Sequence, residues 1–89
     1  MKRITICIEF KGGKGYCYVN IIPSDYGIYK QSFSGCHIFF LKPGDYTIYL
    51  DGVSPAGGTT VTVLMDDEEI GRARVTKAGP FSKYIDITI

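Results

Sequence analysis

The sequence predicts an all-β fold, a single small antiparallel β-sandwich of about seven to eight strands with little or no helix. Three observations carry that expectation. Glycine and proline punctuate the chain at intervals of roughly 8–12 residues, the turn spacing of a sandwich rather than of βαβ units. Only Tyr46, Tyr49, Leu50 and Val53 place apolar residues at i, i+3, i+4 and i+7, as a helix would need, and that segment also alternates as a strand. The segments between breakers alternate apolar and polar residues with the period of two that half-buries a strand. A chain of 89 residues buries only about 60–65% of its unfolded surface. That is enough for one core, so residues 1–89 are predicted to form one domain.

Met1 to Phe10 alternates and reads as the first strand, with Ile4, Ile6 and Ile8 on one side. Gly12-Gly13 fits a two-residue hairpin turn, which requires positive φ. In that register Ile8 faces Cys17, Ile6 faces Val19 and Ile4 faces Ile21, while Glu9 lies by Tyr16, Cys7 by Tyr18 and Thr5 by Asn20 on the other side. A longer loop from Lys11 to Gly15 would shift this pairing. Pro23 to Gly27 is a turn cluster, Ile28 to Phe33 a short edge strand, and Cys36 to Leu41 the next strand after Ser34-Gly35. In Lys42-Pro43-Gly44-Asp45, proline presets φ at the second position and glycine takes the positive φ at the third, so a type II turn is predicted.

Tyr46 to Leu50 follows with Tyr46, Ile48 and Leu50 on one face. Ser54 to Gly58 is the strongest breaker. Beyond it Thr59 to Met65 points Val61, Val63 and Met65 inward, and Asp66 to Glu69 makes a tight acidic turn into a strand from Ile70 to Val75. The last strand, Phe81 to Ile89, places Ile85, Ile87 and Ile89 on the core side.

Composition narrows the partners. With 45% hydrophobic and 21% charged residues, the chain is too apolar for a disordered tail. A net charge of +1 supplies no global field to steer nucleic acid or an anionic membrane, so neither is an expected partner. Glu9 interrupts the N-terminus before any run of signal-peptide length. The cytoplasm is the compartment expected of the chain as written, with an extracellular or virion-associated place as the alternative if a leader precedes Met1. Three cysteines, Cys7, Cys17 and Cys36, are an odd number without a C-x-x-C pair and fit neither a disulfide framework nor a zinc knuckle. They are expected to be buried free thiols that pack as small hydrophobes.

The stretch Leu41-Lys42-Pro43-Gly44-Asp45-Tyr46-Thr47-Ile48 resembles the L-x-P-G-x-Y-x-hydrophobic hairpin of transthyretin-like and collagen-adhesin B-type β-sandwich domains. The resemblance implies a small sandwich serving as stalk, spacer or accessory module. The isopeptide-forming adhesin members pair an early lysine with a late asparagine. This chain has no asparagine after Asn20, so that crosslink is not expected.

The chemistry-bearing residues favour binding over catalysis. His37 is the single histidine; a dyad with Cys7 or Cys17 would activate a thiolate, but the plainer expectation is a half-buried strand residue beside tyrosines. The acids Asp66 to Glu69 could join Asp51 or Asp45 around calcium, although four acids at a hairpin tip are more often solvated. Arg72 and Arg74 share a strand face and, with Lys77 and Lys83, make a small basic stripe, narrow for nucleic acid. Gly12 to Gly15 and Gly57 to Thr60 resemble phosphate loops but open no helix. Neither a cofactor nor a metal is expected.

Tyrosine stands out, with seven copies and no tryptophan. Tyr16, Tyr18, Tyr26, Tyr29 and Phe33 are the predicted ligand- or partner-binding residues, because large rigid aromatics with a hydroxyl anchor protein interfaces and stack on sugar rings. The expected function is a non-catalytic interaction or assembly module, part of a larger bacterial or phage structure, binding a protein partner or itself through these tyrosines or an edge strand. A carbohydrate-binding module using the same tyrosines is the alternative.

Overall fold

The computed structural model describes all residues from Met1 to Ile89 and resolves the alternating segments into eight strands without a helix. They are β1 (Lys2–Phe10), β2 (Tyr16–Ile22), β3 (Ile28–Gln31), β4 (Gly35–Leu41), β5 (Asp45–Ser54), β6 (Thr59–Met65), β7 (Glu68–Val75) and β8 (Gly79–Thr88). Two antiparallel sheets of four strands pack face to face, with strand orders β4-β1-β6-β7 and β3-β2-β5-β8.

Only β2–β3 and β6–β7 are neighbours in both sequence and sheet, so every other connection crosses from one sheet to the other. The predicted Gly12-Gly13 hairpin is therefore corrected. β1 pairs with β4 and β6, and β2 pairs with β3 and β5. The inward residues were nevertheless the right ones: Ile4, Ile6, Ile8, Cys17, Val19 and Ile21 are at most 2% exposed. They meet the core from opposite sheets instead of side by side in one. The loop after β1 is held instead to the β5–β6 crossing, where Lys11 N–H donates to the Gly58 carbonyl and Gly57 N–H to the Lys11 carbonyl.

The predicted type II turn at Pro43-Gly44 is also corrected. Gly44 takes a positive φ of 153°, too extended for the third position of that turn, which wants about +80°. Its N–H and C=O pair with Ile89 at the far edge. The Lys42 carbonyl, which a turn would have used, accepts from the Tyr46 hydroxyl at 2.8 Å. The segment is an arch between sheets.

Other crossings have their own side-chain staples. Gln31 Nε2 donates to the carbonyls of Phe33 and Gly35 in the β3–β4 arch. The buried hydroxyls of Ser54 and Thr59 meet at 2.8 Å in the β5–β6 arch. The acidic turn is a two-residue hairpin with Asp66 and Asp67 both at positive φ, between the paired Met65 and Glu68. Positive φ at both central residues is the type I′ requirement, and its twist suits adjacent strands.

Fourteen buried residues fill the space between the sheets, contributed by β1, β2, β4, β5, β6 and β8. Each fully buried aliphatic side chain is worth about 1.5–3 kcal/mol, whereas the four ion pairs join exposed or half-exposed side chains and are worth about 0–1 kcal/mol each. Packing therefore holds the fold. Close approach of β7 to β8 depends on Gly71, where a Cβ would come within 2.6 Å of Ile85 Cγ2.

Candidate functional site: two outer faces

The alternation that buries Val19, Ile21, Ile48, Leu50, Ile85 and Ile87 sends their neighbours outward from the second sheet. Two cross-strand rows result. One runs Ile28, Asn20, Tyr49, Tyr84, and the next runs Lys30, Tyr18, Asp51, Ser82. Tyr16 continues the aromatic line beside Val53 and Pro80. Tyr18 is 39% exposed, Tyr49 46%, Tyr84 65% and Ile28 67%, so the rows form a surface and not the margin of the core.

The rings support one another. Tyr16 and Tyr18 meet edge to face at 5.5 Å, and Tyr49 and Tyr84 lie 6.5 Å apart. Lys30 Nζ stands 5.0 Å from the Tyr16 ring centre and 5.6 Å from that of Tyr18, within cation–π range. A shallow depression of about 410 Å³ lies among Tyr18, Asn20, Ile28, Tyr49 and Asp51. Asp45, Asp51 and Asp86 alternate onto this face. Thr88 donates to Asp45 and Thr47 to Asp86, each at 2.8 Å.

The five predicted aromatics do not form one site. Tyr16 and Tyr18 stand on the face just described. Tyr29 pairs with Val19 and so turns inward, where it stacks on His37 at 4.1 Å and meets Phe39 edge-on. Tyr26 reaches across to the other sheet. Its hydroxyl donates to the Phe40 carbonyl and accepts from the Phe40 N–H, both at 2.9 Å. Phe33 is 71% exposed in the β3–β4 arch, apart from the others. Sequence reasoning missed Tyr49 and Tyr84. The signal was present, since placing Ile48, Leu50, Ile85 and Ile87 inward obliges Tyr49 and Tyr84 to face out.

The first sheet carries the second outer face and a further correction. Cys7 and Cys36, expected as free thiols, are directly opposed on β1 and β4 and form a disulfide with Cα atoms 4.0 Å apart. Odd cysteine count disfavoured a framework, but a single bond with one thiol left over satisfies it. Cys17 is the free one, fully buried. Burial, with a smaller contribution from the Asp51 carboxylate, pushes its thiol up to about 12.

His37 has no thiolate partner. Cys7 is bonded to Cys36, Cys17 is protonated at neutral pH, and the imidazole stacks on Tyr29 and meets Phe39 edge-on. The acids of the turn are met by cations, Asp66 by Lys2, Asp67 by Arg3 and Glu69 by Arg72. Asp45 and Asp51 lie on the other sheet, so the calcium set considered from sequence does not assemble. Arg72 and Arg74 do share the outer face of β7, whereas Lys83 is on β8 in the opposite sheet. No helix is long and apolar enough to cross a membrane.

Compared with protein-family models, curated proteins and solved structures, the chain matches none.

Proposed function

We propose that the protein is a non-catalytic interaction module that docks a protein partner on the outer face of the β3-β2-β5-β8 sheet. One observation carries the reading: Tyr16, Tyr18, Tyr49, Tyr84 and Ile28 stand together on positions where an outer sheet face is ordinarily polar. Rigid aromatic anchors on a strand scaffold lose little side-chain entropy when they bind, and tyrosine is enriched among residues that dominate interface energetics. The carboxylates of Asp45, Asp51 and Asp86 outnumber the Lys30 cation on this face, which favours a partner surface bearing Lys or Arg. The resemblance of Leu41–Ile48 to accessory sandwich domains implies a role of the same kind.

The face is favoured over the β4 edge. On that edge the Tyr26 hydroxyl already bonds both the N–H and the carbonyl of Phe40, and an N–H already bonded cannot recruit an added strand.

A second copy of the chain is the first partner to test, because its Arg72 and Arg74, on the outer face of the other sheet, supply cations that the three carboxylates would meet. Sedimentation equilibrium of the wild type and of a Tyr49→Ala/Tyr84→Ala variant should show association in the former, weakened at least about tenfold in the latter. A strict monomer at high concentration, with no protein captured by the wild type and lost by the variant, would sink the reading.

Asn20 and Asp51 sit between Tyr18 and Tyr49 in the depression, an aromatic floor with polar walls that also suits a sugar ring. Retention on a glycan array that disappears with Tyr18→Ala would move the assignment to a carbohydrate-binding module.

A further inference from the structure

We infer that the Cys7–Cys36 disulfide is a thiol–disulfide exchange site, at which a small thiolate attacks Cys36 Sγ and releases Cys7 as the leaving group. The regiochemistry follows from the sheet. Cys7 and Cys36 are directly opposed, so the S–S bond runs across the ladder from β1 to β4. Displacement at sulfur requires the nucleophile to approach in line with the bond, from the side opposite the sulfur that leaves. β4 is an edge strand with no strand beyond it, and Cys36 is exposed while Cys7 is half-buried. The line to Cys36 is open. The line to Cys7 comes from the other side, where Thr62 of β6 and then Arg72 of β7 occupy the same cross-strand row.

The same arrangement suits the leaving sulfur. A depression of about 410 Å³ beside the bond is lined by Thr60, Thr62, Lys11, Arg72 and Arg74, with Glu9 as its one carboxylate. Glu9 is taken up by Lys11 at 3.3 Å and Arg72 leans on Glu69, while Arg74 forms no ion pair. Cations and hydroxyl donors next to a departing thiolate stabilise it, and a better leaving thiolate speeds exchange.

The step balances. The incoming thiolate forms one S–S bond to Cys36, the Cys7–Cys36 bond breaks, and its electron pair departs on Cys7 Sγ. A second thiolate attacking the small-molecule sulfur of that mixed disulfide completes a two-electron reduction. The thiols are oxidised to their own disulfide, and Cys7 and Cys36 are both left as thiolates. The partner class is therefore small thiols, and the inference stands whether or not the tyrosine face binds a protein.

The test uses the folded chain with cysteamine, whose attacking thiolate carries an ammonium group and is of zero net charge, so that Arg residues give it little steering. Acid-quenched samples are mapped by peptide mass spectrometry and the rate is compared with Arg72→Gln and Arg74→Gln, both exposed positions. The expected result is an adduct on Cys36 with Cys7 free and Cys17 untouched, and a rate at least about threefold lower in the double variant, because a departing thiolate that has lost its neighbouring cations leaves more slowly. Adduct on Cys7, equal adducts on both sulfurs, reaction only in denaturant, or an unchanged rate in the double variant would each overturn it.

Discussion

Breaking the Cys7–Cys36 bond should destabilise the protein by an amount that its position in the chain lets us calculate. The bond closes a segment with a sequence separation of 29 residues, containing all of β2 and β3. The loop-closure relation assigns a crosslink of that length about 3.6 kcal/mol at room temperature, chiefly by restricting the unfolded chain. Unfolding entropy of about 2.1 cal/mol/K per residue, over 89 residues, comes to about 190 cal/mol/K, so the melting temperature should drop by about 19 °C.

The perturbation is the Cys7→Ala/Cys36→Ala variant, which leaves the buried Cys17 in place. Urea unfolding followed by fluorescence of the tyrosines gives the free-energy difference, and calorimetry gives the shift in Tm. The variant should also raise the urea m-value, because its unfolded chain exposes more surface. A loss below about 1 kcal/mol would refute the reasoning. It would mean that the 29-residue segment is already restricted in the unfolded chain.

Two further outcomes follow from single side chains. Tyr26→Phe removes the hydroxyl that bonds both the N–H and the C=O of Phe40; stability should drop by roughly 1–2 kcal/mol, and the Phe40 amide should lose its protection in hydrogen exchange, whereas unchanged protection would show that the strap is not formed. Cys17 makes stability fall at high pH. Its thiol titrates near 9.0 when exposed and at about 12 when folded, so the unfolded chain sheds a proton that the folded one keeps. The contribution is fully present below pH 9 and is lost as pH rises toward 12. Against Cys17→Ala, the wild type should lose about 1.4 kcal/mol more per pH unit across that window, and parallel stability curves would contradict the assigned burial.

How legible the molecule was depended on which physical quantity each residue reported. Ile4, Ile6, Ile8, Cys17, Val19 and Ile21 were readable as core because side-chain alternation is a property of the strand itself. Which strand lay next to β1 was not readable. An inward face is satisfied equally by a partner in the same sheet or by one across the core, and Gly12-Gly13 permits either a hairpin or an arch. The structure chose the arch, with Lys11 bonded to Gly57 and Gly58.

The candidate face divides in the same way. Tyr16 and Tyr18 were assigned outward from local alternation, and Tyr49 and Tyr84 follow from the same rule applied to β5 and β8. Tyr29 was misjudged as a surface anchor, because a four-residue edge strand is too short for its period to announce which side faces in.

What the sequence alone determined is the list of strands, their inward residues and the absence of helix, since these follow from periods of a few residues. Tertiary structure alone decided that β1 lies between β4 and β6, that Cys7 meets Cys36, and that four tyrosines share one face. Each of those depends on which strands become neighbours, and that is settled by long-range pairing between segments whose local patterns are interchangeable.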